Sequence, residues 1–184
     1  MADDGARLQT ALADYRARWP AEAATVALFE ALLEEGGHAF ERERLAGHFT
    51  ASAWLVAADG ARTLLTHHRK LGLWLQLGGH ADGDSHLPRA ALKEAEEESG
   101  LHGLRLAGDA IFDLDRHWIP THRDVAAHWH YDVRYVVRAG EDEAFVVSDE
   151  SHALAWRDIA ALARDDEADA SVRRMAHKWL ESGF

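Results

Sequence analysis

The residues best placed to do chemistry lie between Gly78 and Leu101. A loop, Gly79-His80-Ala81-Asp82-Gly83-Asp84-Ser85, leads into a segment whose spacing predicts a helix over about 86–99, stopped by Gly100. Glu94, Glu97 and Glu98 sit at i, i+3 and i+4, so they share one helical face. Ala91, Leu92 and Ala95 fall on another side, where they can pack against a sheet, and Glu96 falls between, toward solvent. Carboxylates clustered in this way repel, at a cost of about 0.2–0.5 kcal/mol per pair in an isolated helix. They also lie toward the helix C-terminus, where the macrodipole disfavours anions. Local stability therefore gives no reason for the cluster, whereas a divalent cation would. Hard oxygen ligands suit Mg²⁺ or Mn²⁺, which keep some waters and bind substrate phosphates through the same ion. The plainer reading of an acidic helix is a solvated face.

A second candidate region is Ala127 to Val137, where residue types alternate with the period of a strand. Trp129, Tyr131, Val133, Tyr135 and Val137 form a core face. His128, His130, Asp132 and Arg134 form the other. That polar face either meets solvent or lines a pocket, with Arg134 holding a phosphate and His128 or His130 assisting. The chain has 13 His, and His117, His122, His128 and His130 could build a separate transition-metal site, although their spacing matches no compact ligand motif. His80 is a further candidate for substrate contact, alongside Arg134 and His130. His67-His68-Arg69-Lys70 is a small basic patch, read first as a solvated turn. The 7 Trp read first as packing residues, with Trp74 and Trp118 as candidates to stack on a base.

These residues need a scaffold, and the rest of the chain supplies one. Its 184 residues fit one domain with a full core and an appended element. Hydrophobic residues make up 47%, which excludes wholesale disorder. With no Cys there is no disulfide framework, thiolate metal site or Cys nucleophile. A net charge of −12 argues against general nucleic-acid binding, though a metal ion can reverse the local sign for a small phosphorylated ligand. The first residues are acidic without an apolar core, and no run is long enough to span a bilayer, so the expectation is a cytoplasmic protein without membrane segments.

Helices are predicted at about 5–18 and 21–35, separated by Trp19-Pro20 and stopped by Gly36-Gly37. Residues 1–45 are too few to bury their own core and read as a helical extension to a domain over 46–184. A hairpin follows, Phe49 to Ala57 and Arg62 to Thr66 around Asp59-Gly60. Leu73 to Leu77 is a short apolar segment, and strands are predicted at about 104–117, 127–138 and Ala144 to Ser148. Helices at Trp156 to Ala163 and Asp169 to Glu181 end the chain. Strands with helices before, between and after them predict a layered α/β or α+β domain.

The stretch from Gly79 to Leu101 resembles the Nudix box, G-x5-E-x7-R-E-U-x-E-E-x-G-U, where U is a bulky aliphatic residue. Gly79, Glu94, Glu97, Glu98, Gly100 and Leu101 match in register. The upstream hairpin, the run Trp74 to Gly79 and the segment Glu150 to Trp156 also look like the family, so the resemblance covers about 46–165. Three positions depart: Ser85 stands where the family has Glu, Lys93 where it has Arg, and Ala95 where it has a larger aliphatic residue. Ser85 could instead cap the helix, Lys93 could pair with Glu97, and Asp84 could partly replace the missing Glu.

The resemblance implies an α/β/α sandwich with a mixed sheet. It also implies Mg²⁺-dependent hydrolysis, with Mn²⁺ as a substitute, of a diphosphate linkage in a small nucleoside-diphosphate-linked molecule. In its terms Glu97 and Glu98 are metal ligands, Glu94 is a ligand or general base, and the Gly79 carbonyl is a further ligand. Glu150 could supply a remote ligand or base, with Glu143 a weaker choice. The changes at Ser85 and Lys93 keep open an alternative, a non-catalytic nucleotide-binding module with this fold. The helical extension could cover the pocket or mediate a homodimer.

Overall fold

The computed structural model describes residues 2–69, 71–121, 125–147 and 151–182. Its centre is a long strand pair, β1 (Gly47–Val56) and β7 (His128–Arg138), which run parallel in unbroken register from Gly47 opposite Trp129 to Val56 opposite Arg138. The other strands are antiparallel to their neighbours: β2 (Arg62–His68), β3 (Trp74–Leu75), β4 (Leu77–His80), β5 (Arg105–Leu106), β6 (Asp113–Ile119) and β8 (Ser151–Asp158). The path is β3-β2-β1-β7-β5, with β4 beside β1, β6 beside β7 and β8 beside β2. The sheet is therefore mixed, as expected.

Helices cover both faces. On one, α1 (Ala2–Arg18), α2 (Ala23–Leu33) and the first part of α3 (Leu87–Ser99) bury Leu8, Leu12, Phe29 and Ala91 against Phe49, Ala51, Val133 and Tyr135. On the other, α4 (Ile159–Leu162) and α5 (Ala170–Ser182) bury Ile159, Val172, Met175 and Trp179 against Trp54, Val56 and Val136. Strand alternation sends Phe49, Ala51 and Ala53 one way and Trp54 and Val56 the other. Residues 8–40 thus contribute side chains to the core that covers this face of the sheet. Among the described residues no helix is long and apolar enough to cross a membrane.

Three predicted elements differ. The strand expected over about 104–117 is two, β5 and β6, with no strand at residues 107–112 between them. Residues 144–147 form no strand. The strand is instead β8, which pairs with β2 through Leu64 opposite Trp156 and Leu65 opposite Ala155. The helix expected from Trp156 begins only at Ile159, where the Asp158 side chain caps it by accepting from the Ala161 N–H. The local signal in Trp156 to Ala163 was helical, but pairing with β2 along Arg62 to His68 holds the first part extended.

On the polar face of β7, Arg134 departs from both readings. Arg134 is buried and bonds to Asp132 at 2.8 Å and Asp113 at 3.1 Å. Asp113 is fully buried and also accepts from Arg174 and Lys178 of α5, each at 2.7 Å. Lys178 then reaches Glu22 at 2.6 Å and the Tyr15 hydroxyl at 2.5 Å, so the network joins the N-terminal extension to the sheet and α5. Burial alone would raise the Asp113 carboxyl. The Arg174 hydrogen bond and the charges of Arg134, Arg174 and Lys178 outweigh it and hold the group below the ordinary value. Removing the carboxylate leaves buried cations without their partner. Asp113→Ala is expected to lower the unfolding free energy by about 3–5 kcal/mol, read as a lower urea midpoint at unchanged slope.

Candidate functional site

α3 is built to present its carboxylates at one end of the sheet. Pro88 opens its first turn, and Gly100, at φ +66°, ends it by donating its N–H to the Glu96 carbonyl. His86 caps the N-terminus, its Nδ1 accepting from the Arg89 N–H at 3.1 Å. Ser85, expected as the cap, instead donates to Asp4 of α1 at 3.0 Å. Asp84 accepts from the His86 N–H at 2.9 Å and pairs with Arg89 at 2.6 Å, so it braces the loop against the first turn. Lys93 pairs with Glu97 at 3.6 Å, the i, i+4 contact that the spacing predicts. Ala95 is buried beside Ala53 and Leu77, where its small side chain brings the helix close to the sheet.

β4 meets those carboxylates through its glycines. The Gly78 N–H donates to Glu98 Oε1 at 3.1 Å. A Cβ on Gly79 would lie 2.5 Å from a Glu94 oxygen, so strand and helix approach this closely only because the residue is glycine. Glu97, its side chain 59% exposed, stands at the open side of the same helical face. Glutamate carboxylates gathered against a glycine backbone form an all-oxygen donor set, the chemistry that a hard divalent cation takes.

A cavity of about 300 Å³ opens beside this strand, with Thr50, Ser52, Gln76, Gly79, His130 and Asp132 among its walls. Among the described residues, none of its walls comes from residues 2–45. The extension borders a different hollow of about 570 Å³, between α1 and the start of α3, whose walls hold none of the clustered glutamates. Asp132 anchors the cavity floor by accepting from Thr50 at 3.0 Å, Ser52 at 2.8 Å and Gln76 at 3.2 Å.

Of the other expected residues, His130 lines the cavity. Arg134 does not: its side chain is 2% exposed and spent on Asp113, Asp115 and Asp132, so the phosphate-binding role is withdrawn. Glu143 is paired with Arg62 at 2.8 Å. Trp74 is stacked on His67, while Trp118 is 51% exposed and edge-on to Trp129. Glu150, His122 and Lys70 lie outside the described residues.

His80 joins His130 in a cluster with His128 and His48, whose ligand atoms all lie within 4.8 Å of one another. The possible grouping of His128 and His130 with His117 is not the one seen among the described residues: His48 joins them, while His117 pairs with Asp115 at 3.0 Å. No sequence motif marks His48. Only the register, which sets it opposite His130, brings it in. Burial is the main cause that pushes His80 down to about 4, His130 down to about 2 and His48 in the same direction, helped by the charges of neighbouring groups.

A NUDIX domain family model matches residues 47–179, and the chain belongs to the Nudix family, whose hydrolases act on phosphoanhydride bonds. Solved structures share the fold. An Ap4A hydrolase from C. elegans superposes with a TM-score of 0.55 at 15% identity, covering 74% of this chain and 98% of that one. A MutT protein from Methanosarcina mazei Go1 gives 0.57 at 16%, covering 76% and 97%. The dihydroneopterin triphosphate pyrophosphohydrolase of E. coli gives 0.53 at 18%, covering 71% and 92%. No curated protein matches the chain by sequence.

The depressed histidines have a consequence for stability. Between about pH 6.5 and pH 4 the unfolded chain binds protons that native His80 and His130 refuse, so stability is full above that window and falls as pH drops through it. Thermal midpoints measured in chelator are expected to decline over this range, and His130→Asn is expected to flatten the decline. A midpoint constant from pH 7 to pH 5 would contradict the burial of neutral imidazoles.

Proposed function

We propose that the chain is a Mg²⁺-dependent hydrolase that cleaves a diphosphate linkage in a small nucleoside-diphosphate-linked molecule, with Mn²⁺ able to substitute. One observation carries the reading: α3 sets Glu94 and Glu98 against the backbone of Gly78 and Gly79, and those two glycines also line a cavity large enough for part of a small ligand. Glu97 and Glu98 would hold the cation, with the Gly79 carbonyl as a further ligand and Glu94 as ligand or general base. Bound there, the ion would neutralise charge on phosphoryl oxygens and lower the pKa of a water.

The chain's own groups do the rest. Glu94 is held beside Gly79, where its carboxylate can accept a proton from an attacking water. Gln76, Thr50 and Ser52 present polar groups along the cavity for the rest of the substrate. A chain of net charge −12 would thereby bind a polyanion through a local reversal of sign rather than through a basic face.

Glu97→Gln and Glu98→Gln are expected to lower turnover of a dinucleoside polyphosphate or nucleotide-sugar panel by at least about 100-fold, with the far-ultraviolet spectrum unchanged. Near-normal activity in either variant would overturn the metal assignment. Wild-type protein that binds these ligands without releasing phosphate or nucleotide would instead favour the non-catalytic module.

A further inference from the structure

We propose a second metal site in this chain, a four-imidazole centre formed by the buried His48 and His128 and the half-buried His80 and His130, that takes a borderline first-row dication, Zn²⁺ foremost. It is independent of the carboxylate cluster and does not rest on the hydrolase reading. Three adjacent strands build it. β1 supplies His48, β4 supplies His80, and β7 supplies His128 and His130 on one face. Their rings crowd together, with centroids 5.0 Å apart for His48–His128 and 5.1 Å for His48–His80, His48–His130 and His80–His130.

Hydrogen bonds orient two of the rings for ligation. His128 Nδ1 lies 2.8 Å from the Ala126 carbonyl, and a carbonyl only accepts, so Nδ1 carries the proton and Nε2 keeps its lone pair. That Nε2 lies 3.1 Å from His130 Nε2. His48 Nδ1 faces the Arg44 carbonyl at 3.4 Å, which likewise leaves Nε2 as the acceptor, and this buried atom has no hydrogen-bond partner among the described residues. An imidazole held by a carbonyl at one nitrogen, with the other lone pair turned inward, is the usual arrangement of a metal-binding His.

The dimensions and the chemistry both suit zinc. Zn–N bonds of about 2.0–2.1 Å set the four nitrogens about 3.3–3.4 Å apart in a tetrahedron. The His128–His130 pair is near that value, and the widest pair, at 4.8 Å at most, reaches it by small ring rotations. Neutral imidazole prefers Zn²⁺, Co²⁺, Ni²⁺ or Cu²⁺ to Mg²⁺, so the two clusters select different ions. Arg42 and Asp82, bonded to each other at 2.5 Å beside His80, add no net charge. With four ligands the centre is closed and structural. It ties β4 to β1 and β7 one residue beyond Gly79, and so fixes the strand that carries the glycines.

The test uses the full chain, stripped with chelator and titrated with Co²⁺ in Mg²⁺-free buffer. One equivalent should give the intense visible bands of tetrahedral nitrogen-ligated Co²⁺, which Zn²⁺ then displaces. His48→Asn and His128→Asn should abolish the bands, while Glu97→Gln and Glu98→Gln keep them. Zn²⁺ should also raise the thermal midpoint of the wild type and leave that of folded His variants unmoved. If the His variants fail to fold, X-ray absorption of the wild-type Zn²⁺ complex decides, with four nitrogen ligands expected. Bands absent from the wild type, retained in both folded His variants or lost in the Glu variants would overturn the proposal, as would an oxygen-ligated zinc spectrum.

Discussion

The carboxylate of Asp113 is the constraint on which most of the structure depends. It is buried where β6 begins, and it receives Arg134 from β7 and both Arg174 and Lys178 from α5. A buried charge is tolerable only when compensated and hydrogen-bonded, so each of these elements has one acceptable position relative to the others. The network extends in two directions. Through Lys178 it reaches Tyr15 and Glu22 and fixes the N-terminal extension. Through Arg134 it reaches Asp132, which organises Thr50, Ser52 and Gln76 at the cavity floor. The far ends of the protein are thus tied to the walls of the site by charge-assisted bonds, with apolar cores on either side of the sheet.

The same face of the sheet is polar for part of its length and apolar for the rest. Along β1 the side chains of His48, Thr50 and Ser52 give way to Trp54 and Val56. Along β7 those of His128, His130, Asp132 and Arg134 give way to Val136. Because these strands are parallel and in register, like meets like across the pair. α4 and α5 cover the apolar half, and the polar half is left to form the cavity and the histidine cluster. The change of residue type within two strands thus locates the site on the sheet.

This division explains what was legible in the sequence. α3 and its glutamates could be read because their meaning is local: helical spacing, a glycine stop and a box pattern within 23 residues, Gly79 to Leu101. The hairpin was legible from Asp59-Gly60 for the same reason. The alternation in β7 separates Tyr131, Val133, Tyr135 and Val137 as a core face, but Trp129, read with them, is half-buried against Arg116 and Trp118 and joins no core cluster. It could not say what faced Arg134, because Asp113 lies on another strand and Lys178 at the far end of the chain. A buried arginine with buried acids looks, in one dimension, like an exposed one. β8 was misread for a related reason: its extended form comes from β2, nearly a hundred residues earlier. His48 carried no signal at all, since nothing near it in the chain is a ligand.

Strand β4 shows how little sequence separates two kinds of chemistry. Gly78 gives its N–H to Glu98, Gly79 makes room for Glu94, and His80 enters the imidazole cluster. The glycines are required because the strand must approach a helix and a neighbouring strand closer than any side chain permits. Desolvation pushes the His80 imidazole below its ordinary pKa, which favours the neutral form. One short strand therefore borders hard oxygen donors at its glycines and borderline nitrogen donors at its end. Any displacement of β4 moves both donor sets together. Its pairing with β1, Thr50 opposite His80 and Ser52 opposite Gly78, limits such displacement, and β1 is in turn held to the Asp113 network through Asp132 and Arg134. The geometry of the glutamates on α3 is thus conditional on ion pairs that never touch them.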